Sequence, residues 1–533
     1  MLAQDGVSPA RRPRLAVLYP HELIGENAGL IDLHVRSLEQ LLEPLGWSVD
    51  ARTTLDPGFA ATALGADVAV VQMLGAPEVE AVIRLRRAQG RPTVFEITDN
   101  PVGVGDWLPR THVAHSPLAR QGVLFHAHLS DALQMLVPAL AELFASVHPR
   151  RIVLDPYVPY PEEVPRKPPG FVVGWAGSRS HAASLELAAP AVVELCRRHR
   201  DVTFAFMGHR SMFDELFGAI AADQADVHPF GDQAEHLRFT GRLHVGLAPM
   251  SPSPFNATRS DTRVCVYAGQ GVAGVLEDAP AHRRHADHAR IYRTPQELLA
   301  TLDELYADRA QVERLARRAR AWLERERSAD ALGRQRDRAY RGLLDAAPAA
   351  PPAGPPAPRD EAGLARRLAA ASAREPDEAL VLCRELVAEA PGYDQAHVAV
   401  ARCLEALGRH GELLDHVDAV TPSPIYADVL AELAVRAARR VRPGAEQRYH
   451  DRVRSPFRRA RLASSDSPAA SSRAVLEHQP YDHFALASTI HRMRRDDPSS
   501  AELAALYERA CLVAPQEVPA DRRPARLAPF LPA

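Results

Sequence analysis

Residues 346–360, AAPAAPPAGPPAPRD, divide this chain in two. Proline has a fixed φ and no N–H to give, so a run this dense in proline and alanine cannot join a helix or a ladder or pack a core. It reads as a semi-rigid polyproline spacer. The 533 residues also exceed what one hydrophobic core supports, so several domains are expected on either side of it.

Before the spacer, short apolar runs alternate with helical patterns, which predicts βαβ units and parallel sheets. LAVLYP (15–20) is the first strand, followed by the Gly-containing loop HELIGENAG and a helix, LIDLHVRSLEQLLEPLG, ending at Gly46. ADVAVVQ (66–72), PTVFEI (92–97) and RIVLDPYV (151–158) continue the first half. FVVGWAGS (171–178) opens a second half, followed by a helix through LELAAPAVVELCRRH and the strands VTFAFMG (202–208) and HVGLAPM (244–250). A long charged helical segment, 295–345, closes it. Periodicity alone yields an α/β chain with two sheets.

After the spacer the pattern is helical. Alanine and leucine recur at helix-pair spacing with Pro391 at a turn, and Pro480 and Pro515 stand one repeat length apart. Both degenerate tetratricopeptide-type hairpins and a generic helical bundle are compatible with that pattern.

A hydrophobic share of 46% with 25% charged residues is ordinary for a globular protein, and a net charge of −3 supplies no attraction to nucleic acid or an anionic membrane. Five cysteines in no CxxC spacing argue for reduced thiols rather than disulfides or a zinc site. No apolar run is long enough to span a membrane, and MLAQDGVSPARRPR lacks the apolar stretch of a secretion signal. The expectation is a cytoplasmic protein with no nucleic-acid partner and no integral membrane segment.

Two passages carry chemistry. In GLAPMSPSPFNATRSDTRVCVYAGQGVAGV (246–275), Asn256, Ser260 and Asp261 supply turn chemistry, and Arg259 and Arg263 stand at the start of a small-residue helix. Forked guanidinium donors beside a helix N-terminus suit a diphosphate, although arginines at i and i+4 are also what a solvated helix face carries. The loop Gly174–His181 sits between a strand and a helix, where glycines admit phosphate oxygens and Arg179 can pair with them; a tight turn would need the same glycines. FEITDNP (95–101) places Glu96 and Asp99 at a strand end, but T-D-N is not a metal-binding D-x-D. His112, His115, His126 and His128 show no ligand spacing. His282, His285 and His288, with Arg283 and Arg284, read as a solvated loop.

The 246–275 passage resembles the donor signature of GT-B glycosyltransferases of the family-four-like branch, P-x-x-x-x-x-F-N-x-x-K-S-D-x-K-x-x-E-Y-x-A-x-G-V-P. A G-W-x-G-S loop lies ahead of it at the family's separation. The resemblance covers roughly residues 12–345. It implies an α/β GT-B fold, two Rossmann-like domains facing a cleft (12–160 on the acceptor side, 165–345 on the nucleotide-sugar side with a return helix), then the 346–360 linker and an all-α, tetratricopeptide-like domain over 361–533. It implies a nucleotide-diphosphate-sugar donor held by Gly177, Ser178, Arg179, Asn256, Arg259, Ser260, Asp261, Arg263 and Tyr267. Transfer would be retaining, with no metal and no cofactor. The acceptor is unidentified: a glycan, lipid, small molecule or protein, with 361–533 recruiting a protein partner. In the first domain Gly25, Gly29, His34 and Arg36 resemble the cleft-facing loop and helix, which makes His34 and Asp99 the catalytic candidates.

The sequence also departs from the pattern. Val266 replaces the glutamate that commonly bonds the donor ribose, Thr258 stands where the wider superfamily has an acid, and Ala273 and Gly274 replace proline-valine. Glu277 or Asp278 are the candidate substitutes. Loss of both acids leaves a second reading: a GT-B-like scaffold or binding protein acting through its helical domain.

Overall fold

The computed structural model describes residues 12–20, 35–104, 115–344, 360–463 and 468–532. The first sheet contains β1 (Arg14–Tyr19), β2 (Ser48–Thr53), β3 (Val68–Gln72), β4 (Thr93–Ile97), β5 (Ala132–Met135) and β6 (Arg151–Val153), in the order β2-β1-β3-β4-β5-β6. The second contains β7 (Phe171–Ala176), β8 (Val202–Met207), β9 (Ala225–His228), β10 (Val245–Ala248), β11 (Ala273–Glu277) and β12 (Arg290–Tyr292), in the order β12-β11-β10-β7-β8-β9. All recorded pairings are parallel. β3, β4 and β7 are buried along their whole length, as continuous apolar runs covered on both faces must be.

The expected α/β fold with two Rossmann-like sheets is therefore present. Each sheet has a switch point where strand order reverses, between β1 and β3 and between β7 and β10. Crevices at the carboxyl ends of such strands are where open α/β sheets take ligands. Both motif loops of the second domain leave its switch point: residues 177–181 follow β7, and residues 249–261 follow β10.

Some boundaries differ from expectation. The strand expected over 151–158 stops at Val153, before Pro156, which has no N–H for a ladder. The charged stretch 295–345 is three helices, Pro295–Ala307, Arg309–Glu326 and Ala329–Leu344. The Asp308 carboxylate accepts from the Gln311 amide at 2.9 Å and restarts the second of them. The third crosses back to the first sheet, where Trp47 Nε1 donates to Asp337 at 2.7 Å and the Tyr340 hydroxyl to Gln134 at 2.8 Å.

Residues 360–463 and 468–532 form helical hairpins, and they are not a tethered module. Leu386, Tyr393, Leu430 and Leu512 share one continuous hydrophobic core with Phe59, Val82 and Leu124 of the first domain. Polar contacts follow the same boundary. Tyr393 donates to the Leu55 carbonyl at 2.6 Å, Arg120 to that of Val513 at 2.6 Å, and buried Asp428 pairs with Arg84 at 2.5 Å. Among the described residues no helix is long and apolar enough to cross a membrane.

Candidate functional site

The β7 loop is built around a close approach. A Cβ on Gly177 would stand 2.6 Å from the Trp175 ring and 3.0 Å from Arg263 Nη2, so only glycine lets these three groups share the space. The Gly177 amide donates back to Met207 at 3.0 Å. Ser178 precedes a short turn, Arg179–His181, that runs into the helix Ala182–Arg198, and no side chain caps either start. Backbone N–H groups at such a start favour an anion. Arg179 lies at the rim, donating to Ser211 Oγ at 2.9 Å.

The β10 loop is held by its own polar groups. The Asn256 amide group donates to Ser251 O at 2.8 Å and to Ser184 Oγ at 3.3 Å, which fastens the loop to the helix after Gly177. Thr258 is buried and its hydroxyl donates to Phe255 O at 3.0 Å, closing the turn. Ser260 and Thr262 hydroxyls meet at 2.7 Å.

Arg259 and Arg263 emerge from this frame in different states. Arg259 pairs with Asp99 at 2.9 Å, lies 5.1 Å from the Phe255 ring centroid, and has Nη2 3.5 Å from His181 Nε2. Arg263 is half-buried over the Trp175 ring, 5.3 Å from its centroid, and makes no ion pair or hydrogen bond with any described residue. Burial lowers the Arg263 pKa, offset in part by Tyr267 and reinforced by the Arg259 charge. Burial and the charges of Arg263 and Arg259 drive His181 well below the usual histidine range, and burial with Arg263 takes His236 to about 4. Among the described residues the Arg263 charge is thus left without an acidic partner, and the two imidazoles it influences stay neutral.

Other expected donor residues are used internally. Asp261 is buried and accepts from Arg284, from His285 at 3.1 Å and from Arg327 at 3.3 Å. Burial alone would raise its pKa, but those three partners outweigh it and hold the carboxyl low. Arg327 reaches Asp155 of the interdomain connection at 2.8 Å, so Asp261 anchors the domains to each other. Tyr267 is buried with its hydroxyl on Leu247 O at 2.6 Å, and burial raises its pKa to about 12. Val266 packs with Val158, Ala319 and Leu323 in an apolar cluster.

The histidine loop corrects the sequence expectation. His282 and His285 are fully buried and His288 nearly so, not solvated. His285 bonds Asp261 on one nitrogen and His288 on the other, at 2.9 Å, and the His288 ring stacks on Trp322. Alternating short polar and apolar residues in AHRRHADHARIY hid this, because the burying partners lie on the distant helix Arg309–Glu326. Of the substitutes for the missing acids, Glu277 is half-buried and accepts from the Met250 amide at 2.7 Å, whereas Asp278 pairs at the surface with Arg283 and Arg293. Gly25, Gly29 and His34 lie outside the described residues.

Sequence reasoning missed Asn100, next to Asp99. Its side chain meets the backbones of Pro254 and Phe530. Nothing local signals contacts of such separation.

The structure is a protein of two Rossmann-like sheets, with Arg259 and Arg263 at the switch point of the second, and a helical region packed on the first domain. No family model and no curated protein matches the chain. Among solved structures it is similar to Anabaena HepE in complex with UDP-glucose, at 14% identity, covering 62% of this chain and 99% of that one, with a TM-score of 0.45. It is also similar to sucrose-phosphate synthase from Thermosynechococcus elongatus, at 12% identity, 63% and 100% coverage and a TM-score of 0.47. A point mutant of O-GlcNAc transferase from Thermobaculum terrenum matches at 13% identity, 64% and 69% coverage and a TM-score of 0.42.

Proposed function

We propose that this protein is a glycosyltransferase that moves a sugar from a nucleoside-diphosphate donor to an acceptor bound on the side of the first domain. The observation that carries this reading is Arg263: half-buried at the switch point of the second sheet, stacked on Trp175, and without an acidic partner among the described residues. Leaving such a cation unpaired costs stability, and a bound diphosphate supplies the missing charge.

In this reading Gly177 and the uncapped helix start at 182 admit the phosphates, while Arg179, Arg259 and Arg263 surround them. Negative charge grows on the leaving diphosphate as the glycosidic bond breaks, and donors already in place stabilise it without reorganisation. Asp99, held by Arg259, faces the acceptor side. Transfer with retention of configuration and without a metal ion extends the sequence resemblance, and five free cysteines fit a cytoplasmic setting.

A second reading, a nucleotide-binding protein without transfer activity, is favoured by Val266, whose apolar packing leaves no acid at that helix position for a ribose. Thermal denaturation with UDP, GDP, ADP, TDP and their glucose conjugates at millimolar concentration tests the shared premise. A rise in midpoint that Arg263→Ala removes supports the site; no rise with any nucleotide refutes both readings. Sugar release from the bound conjugate then separates transfer from binding.

A further inference from the structure

The residue after Asp99 joins three parts of the molecule. Asn100 is 1% exposed, and its side-chain oxygen accepts from the amides of Val102 at 2.9 Å and Gly103 at 3.0 Å. Its side-chain nitrogen donates to Pro254 O at 3.2 Å, in the β10 loop, and to Phe530 O at 2.9 Å, in the helical region. The amide thus has two accepted and two donated bonds, and each points to a different backbone group.

The surroundings admit little slack. A Cβ on Gly103 would stand 2.5 Å from Asn100 Nδ2 and 3.0 Å from both Phe255 N and Pro254 C, so the loops after β4 and β10 touch backbone to backbone. Ala257 of the same turn packs against the core shared by the first domain and the helical region. The segment Ala525–Phe530 is anchored at its other end by Arg526, which pairs with Glu508 and donates to Ser146 Oγ at 3.2 Å and Glu142 O at 3.3 Å. Leu527 and Phe530 are buried.

We propose that Asn100 and the segment Ala525–Phe530 are a positioning lock for the 253–258 turn, through which the helical region sets the affinity of the cleft for a nucleoside diphosphate. The lock acts through the turn that carries Arg259, and its effect on ligand rests on the donor-site reading above. Asn100 itself is a positioning residue: its hydrogen-bonding groups are all taken by backbone. An uncharged amide is the group this junction requires, because a carboxylate there would face two carbonyl oxygens with no proton to offer.

Two readouts test it on the full chain. Hydrogen exchange of the 253–258 amides needs no ligand, and calorimetry with UDP, GDP, ADP and TDP reads affinity. Asn100→Asp and Arg526→Ala, the latter distant from the cleft, are each expected to speed exchange in 253–258 at least tenfold. Both are expected to weaken the nucleotide that wild type binds at least fivefold at equal folded fraction. Arg384→Ala, which removes only an exposed pair with Glu412, is expected to change neither. Unchanged exchange in both variants overturns the lock. Faster exchange with unchanged nucleotide affinity overturns its coupling to the cleft. If wild type binds none of the four nucleotides, the donor reading fails while the exchange measurement still decides the lock.

Discussion

Asp99 and Arg259 meet at 2.9 Å across the boundary between the two sheets. The first leaves the end of β4 and the second the loop after β10, so 160 residues of chain separate them. The pair is part-exposed, 25% for the arginine and 37% for the aspartate, which limits its worth to about 1 kcal/mol or less. Under the proposed function its interest is competition: the fork that holds Asp99 is the one a donor phosphate would need.

Asp99→Asn therefore should leave the unfolding midpoint nearly unchanged and tighten nucleoside-diphosphate binding severalfold at low salt, with the gain shrinking as salt is added. Calorimetry at two ionic strengths measures it. Weaker binding in this variant would mean that Asp99 orients Arg259 instead of competing for it.

Arg263→Met should separate stability from binding. Removing a half-buried cation that has no ionic partner among the described residues is expected to leave stability equal or raise it by about 1 kcal/mol, since the methionine keeps contact with Trp175. Nucleotide affinity should fall by more than tenfold. Parallel urea denaturation and ligand titration decide the case, and a variant that loses stability without losing affinity would assign Arg263 a structural role.

Val266→Glu restores the acid of the resembled signature, yet the structure predicts harm. The side chain would enter the cluster of Val158, Ala319 and Leu323, where an unpaired carboxylate costs on the order of 2–5 kcal/mol. Reduced stability with no gain in nucleotide affinity is the expected result. A gain in affinity would show that this helix face turns to the ligand.

Acid should weaken the fold well above the carboxylate range. Burial lowers His126, His236 and His282 to about 4, the first and last of these against partial relief from hydrogen bonds to the backbone at Leu74 and Glu277. These histidines are neutral in the fold and take protons once unfolded, so the unfolded chain binds more protons between about pH 6.5 and 4. Stability is accordingly full above about pH 6.5 and is lost as pH falls through that window, each histidine removing about 1.4 kcal/mol for every pH step of one crossed. Urea midpoints from pH 7.5 to 4.5 should drop steeply, and His126→Phe should flatten the slope.

The two sheets were legible in the sequence because parallel strands buried on both faces are short continuous apolar runs, readable without knowing their neighbours. The turn at 253–258 was legible for a similar reason: Ser253 and Asn256 act on backbone within a few residues. Legibility stopped where a side chain's partner lies far along the chain. Asp261 and Arg263 stand two positions apart at the start of one helix, and nothing local reveals that the first is consumed by His285 and Arg327 while the second has no such partner among the described residues. The buried histidines and Asn100 belong to the same class, as does the helical region, whose amphipathic pattern reveals an apolar face but not that the first domain covers it. Local backbone preference and burial period were determined by the sequence itself; which charges are neutralised, and which is left without a partner among the described residues, was decided only by tertiary packing, because electrostatic partnership depends on distance in space.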